Sequence, residues 1–178
     1  DHVLFTGSVS GGKEVKKAIG TRFIGAGLEL GGKDPAYVKA DCNFDNAVEN
    51  LVDGSYYNSG QSCCGIERIY VDEKIFDNFV DAFKAQTEKY ILNNPLDHNT
   101  NLGPVVKLSA ANNIRNQVSK ALNNGAKNII DGSKFKIDDS DNCFVSPSAL
   151  INVDHSMEFM MEETFGPTVG IMKVKTHD

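Results

Sequence analysis

The chain is 178 residues long with 40% hydrophobic and 24% charged residues, enough apolar side chain for one sizeable core under an ordinary polar surface. Its 18 basic and 24 acidic residues leave a formal charge of −6, and without a Lys/Arg stripe they argue against nucleic acid or an anionic bilayer as partner. No apolar run approaches the roughly 20 residues of a membrane span, and Asp1-His2-Val3-Leu4-Phe5 lacks the basic start and cleavage pattern of a signal peptide.

Val3-Leu4-Phe5 predicts a short buried strand, and Thr6-Gly7-Ser8 turns it into a helix from about Ser10 to Ile19, stopped by Gly20. Phe23 to Leu30 is the next apolar stretch, broken by Gly31-Gly32, and Ala36-Tyr37-Val38 is a further strand. Asp45 can cap a helix running toward Tyr57, with Ala47, Val48, Leu51 and Val52 on one face. Ile66 to Val71 is strand-like, Glu73 to Tyr90 is an amphipathic helix, and Leu108 to Leu122 is another, ended by Gly125. Ala126 to Ile130 returns as a strand, and Asp131 to Asn142 is a polar surface excursion. Phe144-Val145, Leu150 to Val153 and Thr168 to Val174 complete the predicted strands, the first two around Pro147. Strands alternating with helices predict an α/β sandwich with a parallel-rich sheet flanked by helices. The chain opens without Met on a strand already under way, which predicts a segment of a longer protein.

Four cysteines, Cys42, Cys63, Cys64 and Cys143, are expected as free thiols of a reducing compartment, the cytoplasm, and the adjacent pair cannot bridge without strain. Cys63 follows Gly60-Gln61-Ser62 between a helix and an apolar strand. It is either a projecting nucleophile or an inert core thiol, with Cys64 facing the opposite way if the chain is extended there. Glu29 lies among apolar residues and glycines, where burial would raise its pKa and make it a general base; the plainer alternative is a carboxylate capping the Gly31-Gly32 turn. Lys33 reads as a solvated turn residue. Gly7-Ser8 offers helix-terminal N–H groups to a pyrophosphate, or merely caps the helix, since the Gly-x-Gly-x-x-Gly fingerprint is absent. Glu162-Glu163-Thr164-Phe165-Gly166-Pro167 could hold ribose hydroxyls and a flat ring, or simply end a helix before the last strand. No Cys/His spacing suggests a metal, with His98 and His155 isolated.

Together the Phe5-Thr6-Gly7-Ser8 turn, the Leu28-Glu29-Leu30-Gly31-Gly32-Lys33 block, Gly60-Gln61-Ser62-Cys63 with Arg68 behind it, Leu102-Gly103-Pro104, and Glu162 to Pro167 resemble the aldehyde dehydrogenase superfamily in order and approximate spacing. The resemblance covers essentially the whole chain. It implies an aldehyde-dehydrogenase-like fold in which residues 1–31 end a Rossmann-like NAD(P)-binding domain and residues 32–178 form most of a catalytic domain. It implies Cys63 as nucleophile and Glu29 as general base, Gly7 and Ser8 near the cofactor pyrophosphate, Leu30 and Gly31 lining the nicotinamide pocket, Glu163 on the nicotinamide ribose, and Phe165 bordering the nicotinamide. The implied cofactor is NAD or NADP, with NAD favoured, the substrate a small-molecule aldehyde, and the assembly a homodimer or homotetramer. The oxyanion Asn and the residues that read the adenosine ribose would lie upstream of Asp1, so the segment alone is expected to be inactive. A CoA-acylating relative and a non-catalytic relative that keeps the fold are the alternatives. Thr164 departs from the aliphatic residue common in the family, and Ser148 from its usual Thr.

Overall fold

The computed structural model describes residues 1–175 and divides the chain into two compact units, Asp1–Gly32 and Lys33–Asp178. In the first, strand β1 (His2–Thr6) pairs in parallel with β2 (Gly25–Glu29) through helix α1 (Val9–Ile19). Ser8 starts the helix because its hydroxyl accepts the Gly11 N–H at 3.1 Å, satisfying one of the terminal donors left over by helical geometry.

The second unit is an α/β sandwich. Its strands are β3 (Asp34–Val38), β4 (Ile66–Asp72), β5 (Lys127–Asn128), β6 (Ser148–Ile151) and β7 (Thr168–Val174), in the order β3-β4-β7-β6-β5. All neighbours are parallel except the edge strand β5, which runs antiparallel to β6. Helices α2 (Phe44–Tyr56) and α3 (Phe76–Thr87) contribute to one core; α4 (Leu108–Asn123) and the short α5 (Glu158–Met161) contribute to another.

Helical spacing brings Val48 and Val52 of α2, and Phe79 and Phe83 of α3, onto Ile69 and Val71 of β4 and Val169 and Ile171 of β7. Phe79 and Phe83 are wholly buried, each contributing about 1.5–3 kcal/mol by leaving water. The other core gathers Leu150, Phe159 and Met160 under Tyr70 and Met172. Odd positions of β4 and β7 thus serve one core and even positions the other, the period of a strand covered on both sides.

Between Asp34 and Pro35 of β3 the register on β4 jumps from Ile66 to Arg68, leaving Glu67 without a partner on the neighbouring strand. This bulge breaks the alternation and re-aims the Glu67 side chain. Ile66 and Ile69 both pack in the α2–α3 core, whereas Glu67 bonds Lys33, whose ammonium lies 5.0 Å from the Phe159 ring centre of the other core.

Several sequence expectations are corrected. Phe144-Val145 is not a strand: the Phe144 carbonyl accepts from Arg115 Nη2 at 2.8 Å, and Val145 packs with Val105, Ala111 and Ile114. The strand expected at Leu150 to Val153 begins two residues earlier and ends where Asn152 adopts φ +57°. Of Ala126 to Ile130 only two residues pair as strand. Asn43, rather than Asp45, caps α2, its side chain accepting the Asn46 N–H at 3.3 Å. The polar excursion after Asp131 is not wholly at the surface, since Phe135 is buried. Among the described residues, no helix is long and apolar enough to cross a membrane.

Candidate active site

In the first unit the structure gathers Gly7, Ser8, Glu29, Leu30 and Gly31 at one end of the two-stranded sheet. Thr6 pairs with Glu29, and the Gly7 N–H donates to the Glu29 carbonyl at 3.0 Å, so the ends of two parallel strands open together beside the N-terminus of α1. That placement fits an anion, because a helix start presents unpaired N–H groups and the positive end of its dipole. Leu30 folds its side chain over Gly12, where any Cβ would crowd it. Glu29 is exposed, against the burial expected of it: it is the last residue of β2, and its alternating neighbours are only half-buried.

Cys63 lies in the second unit, on the turn between α2 and β4. After Tyr57 the backbone makes a left-handed turn through Asn58, Ser59 and Gly60, with φ of 51°, 58° and 71°. Such angles strain residues with a Cβ by about 1–2 kcal/mol, and side-chain bonds offset the strain. The Ser59 hydroxyl donates to the Gly103 carbonyl at 2.7 Å, Asn58 Nδ2 to the Gln61 carbonyl at 3.0 Å, and Gln61 Oε1 accepts the Val106 N–H at 2.8 Å. The strings around Cys63 and around Gly103 therefore clasp one another.

Cys63 and Cys64 are both exposed, so the expected division into one cleft thiol and one core thiol is not seen. The reason is local. Residues 62–65 form a turn closed by the Gly65 N–H to the Ser62 carbonyl at 3.1 Å, and strand alternation begins only at Ile66. Cys42 and Cys143 are half-buried, and all four thiols are free.

The turn carrying Glu163 and Phe165 lies against the Cys63 loop. A Cβ on Gly60 would overlap the Gly166 carbonyl, so only glycine permits this approach of the two backbones. Phe165 is itself left-handed at φ +54° and 41% exposed, a conformation that costs an aromatic residue on the order of 1–3 kcal/mol and persists only where neighbours enforce it.

Glu67 supplies that enforcement. Its carboxylate accepts the Phe165 N–H at 2.9 Å, the Thr164 N–H at 2.9 and 3.1 Å, and the Lys33 ammonium at 2.5 Å. Gln117 of α4 accepts the Thr164 hydroxyl at 2.7 Å and donates to the Glu163 carbonyl at 3.2 Å. The Lys33 and Glu67 side chains are only 6% and 5% exposed, so Lys33 is no solvated turn residue. Burial pushes its ammonium below the usual lysine range, against the opposing pull of the Glu67 carboxylate. Neither Glu67 nor Gln117 belongs to any motif of the sequence, and Lys33 reads there only as a turn residue. The available signal was a charged residue inside the apolar Ile66–Val71 run, which must find a partner when buried.

A groove of about 480 Å³ beside α4 contains none of the predicted site residues. Its Arg115 is committed to Asp138 at 2.8 Å and to the carbonyls of Asp139, Asn142 and Phe144. Among the described residues no group of three or more His, Cys, Asp or Glu could hold a metal ion.

The sequence profile described as the aldehyde dehydrogenase family matches residues 1–178. Aldehyde dehydrogenase 1A1 of Oryctolagus cuniculus is 38% identical over 100% of this chain and 36% of its own length, and the cytosolic aldehyde dehydrogenase 1 of Mus musculus is 38% identical over 100% and 35%. The crystal structure of betaine aldehyde dehydrogenase from Staphylococcus aureus in complex with NAD+ superposes with a TM-score of 0.90 at 33% identity, covering 99% of this chain and 35% of that one. The chain thus spans about a third of the length of these relatives. On the match across its full length, the chain belongs to the aldehyde dehydrogenase family.

Proposed function

We propose that the protein containing this chain oxidises an aldehyde to the carboxylic acid with a nicotinamide dinucleotide, Cys63 acting as nucleophile and Glu29 as general base. The observation that carries the reading is an exposed thiol on a strained, side-chain-locked loop packed against the Phe165 turn, in a chain of this family. A thiol held this way is pre-positioned to attack rather than to pack.

The Cys63 thiolate forms a C–S bond to the aldehyde carbon, and backbone N–H groups near Cys63 hold the resulting oxyanion. NAD(P)+, when bound, supplies the hydride acceptor that converts the thiohemiacetal to a thioester. Glu29 then takes a proton from water, the hydroxide adds to the thioester carbon, and the C–S bond breaks to return Cys63 as thiolate. The exposure of Glu29 is compatible with this role, since the base must reach water.

Gly7 and Ser8 at the start of α1 suit the cofactor pyrophosphate, and Leu30 and Gly31 line the nicotinamide pocket. Glu163 takes the nicotinamide ribose and Phe165 borders the ring. NAD is favoured over NADP, supported by the NAD+ bound to the Staphylococcus aureus relative. The residues of the Rossmann-like domain end at Gly31 in this reading, the catalytic domain follows from Gly32, and the full-length protein works in the cytoplasm as a homodimer or homotetramer. The oxyanion Asn lies outside this chain, which leaves the segment alone inactive.

Iodoacetamide labelling of the full-length protein with peptide mapping tests the proposal. Cys63 is expected to react well ahead of Cys64, Cys42 and Cys143. Equal, slow labelling of all four would favour a non-catalytic relative.

A further inference from the structure

The bulge in β4 does more than let Ile66 and Ile69 share one core. It opens the pairing with β3, and it takes one charged side chain out of the alternation that gives Ile69 and Val71 to the α2–α3 core. What the bulge achieves is to bring the Glu67 carboxylate onto two consecutive backbone N–H groups, those of Thr164 and Phe165.

These N–H groups lead into a residue in a conformation that no ordinary turn would select for an aromatic side chain, Phe165 at φ +54°. The carboxylate is held in turn by Lys33, whose ammonium also reaches the Thr164 hydroxyl at 3.3 Å. Gln117 ties the Glu163 carbonyl and the Thr164 hydroxyl from the side of α4. A turn needed only to connect α5 to β7 would not call for a buried ion pair and a buried amide. Such a network is explained if the direction of the Glu163 and Phe165 side chains matters.

We infer that Glu67 is a positioning residue for cofactor binding: seated in the β4 bulge and paired with Lys33, it fixes the Glu163–Phe165 turn in the geometry that receives the nicotinamide ribose and ring. The inference rests on the reading of Glu163 and Phe165 as cofactor contacts. Glu67 acts through the backbone of the turn and touches no substrate.

The test separates the charges from the hydrogen bonds in the full-length protein. A Lys33→Met/Glu67→Leu double variant replaces the ion pair by apolar side chains of similar bulk, which a fold tolerates, but it leaves the Thr164 and Phe165 N–H groups without their acceptor. A Lys33→Met/Glu67→Gln variant removes both charges and keeps an acceptor. Hydrogen exchange, without cofactor, reads the turn: protection at Thr164 and Phe165 is expected to fall in the Met/Leu pair and to return in the Met/Gln pair. Calorimetric titration with NAD is expected to show Kd raised about tenfold in the Met/Leu pair, the loss of one oriented polar contact, and recovered to within about threefold in the Met/Gln pair.

Unchanged exchange at Thr164 and Phe165 overturns the inference, as does lost protection with unchanged NAD affinity. Glu163→Gln is the control. If it weakens NAD binding while the Met/Leu pair does not, the positioning role fails and the cofactor reading stands. If neither weakens NAD binding, both fail. An effect of the Met/Leu pair without one from Glu163→Gln overturns the ribose contact, and with it the turn geometry inferred for it.

Discussion

Replacing Glu67 by glutamine alone takes the nearest counter-charge from the buried Lys33 ammonium, leaving only the weaker attraction of Glu163, and the structure sets the scale of the loss. Both side chains are almost wholly excluded from water, so solvent screening gives little relief, and breaking one side of such a pair costs about 3–5 kcal/mol. Glutamine Oε1 can still accept the Thr164 and Phe165 N–H groups, which confines the damage to Lys33 and favours the lower end, about 3 kcal/mol. With urea slopes of about 1–3 kcal/mol per molar, the unfolding midpoint falls by about 1–3 M at pH 7. The sign of the pH dependence follows from Lys33. Burial already lowers its pKa in the folded parent, with Glu67 opposing, and removing Glu67 lowers it further. Between the folded value and the higher unfolded one, the unfolded chain binds more protons, so stability rises with pH through that window. The deficit of Glu67→Gln relative to the parent therefore shrinks between pH 7 and pH 10. Urea titrations of the full-length protein followed by circular dichroism at both pH values check this. A midpoint equal to the parent at pH 7, or a deficit that stays constant to pH 10, refutes the argument that the buried Lys33 charge depends on Glu67.

Cys63→Ser abolishes aldehyde oxidation, whereas Glu29→Gln gives a burst of reduced cofactor followed by slow turnover; stopped-flow absorbance distinguishes them, and absence of a burst places Glu29 before hydride transfer. Gly60→Ala combines a left-handed φ with overlap on the Gly166 carbonyl, and is expected to destabilise by about 2–3 kcal/mol and slow Cys63 alkylation, with parent-like behaviour in both assays contradicting the backbone contact. Phe79→Ala opens a hole between α2, α3 and the sheet, and is expected to cost about 3–5 kcal/mol in urea unfolding with little effect on the Cys63 labelling order. Product analysis with and without coenzyme A is expected to show free acid in both cases; a requirement for the thiol acceptor would replace water, and Glu29 with it, in the last step.

Much of the fold follows visibly from pattern. Helices α2, α3 and α4 are legible because their apolar residues recur at helical spacing over eleven residues or more, and β4 and β7 because they are short stretches rich in β-branched and other apolar residues. The errors have local causes. Val145 is apolar and flanked like a strand residue, but the carbonyl of Phe144 is taken by Arg115, a partner too far along the chain for any local rule to anticipate. Strand alternation predicts opposite faces for Cys63 and Cys64, but the chain is still turning there. The strings around Cys63 and Glu163 announce themselves through glycine, because the backbones of Gly60 and Gly166 touch. Glu67, Lys33 and Gln117 carry no such mark. Glu67 depends on a one-residue register shift, which a sequence does not display, and Lys33 looks like any polar residue after a glycine turn.

The spacing of the motifs has a physical reading once their contacts are known. Gly7 bonds the Glu29 carbonyl, Ser59 and Gln61 bond Gly103 and Val106, Gly60 meets Gly166, and Glu67 holds Thr164 and Phe165. Each short string is therefore half of a pair, and a change in one half leaves a hydrogen-bonding group unpaired or a backbone overlap in the other. Strings so coupled are expected to occur together or be lost together, which is why several individually weak signals in register are specific. Thr164 extends the argument to a single position. Where the resemblance leads one to expect an aliphatic side chain, this protein has a buried hydroxyl that gives its proton to Gln117 and receives one from Lys33. A valine there would leave Gln117 Oε1 without that donor, and burying an unmatched amide acceptor costs about 1–3 kcal/mol. The departure at Thr164 is thus tied to Gln117, and Thr164→Val is expected to be tolerated only when Gln117 is replaced with it.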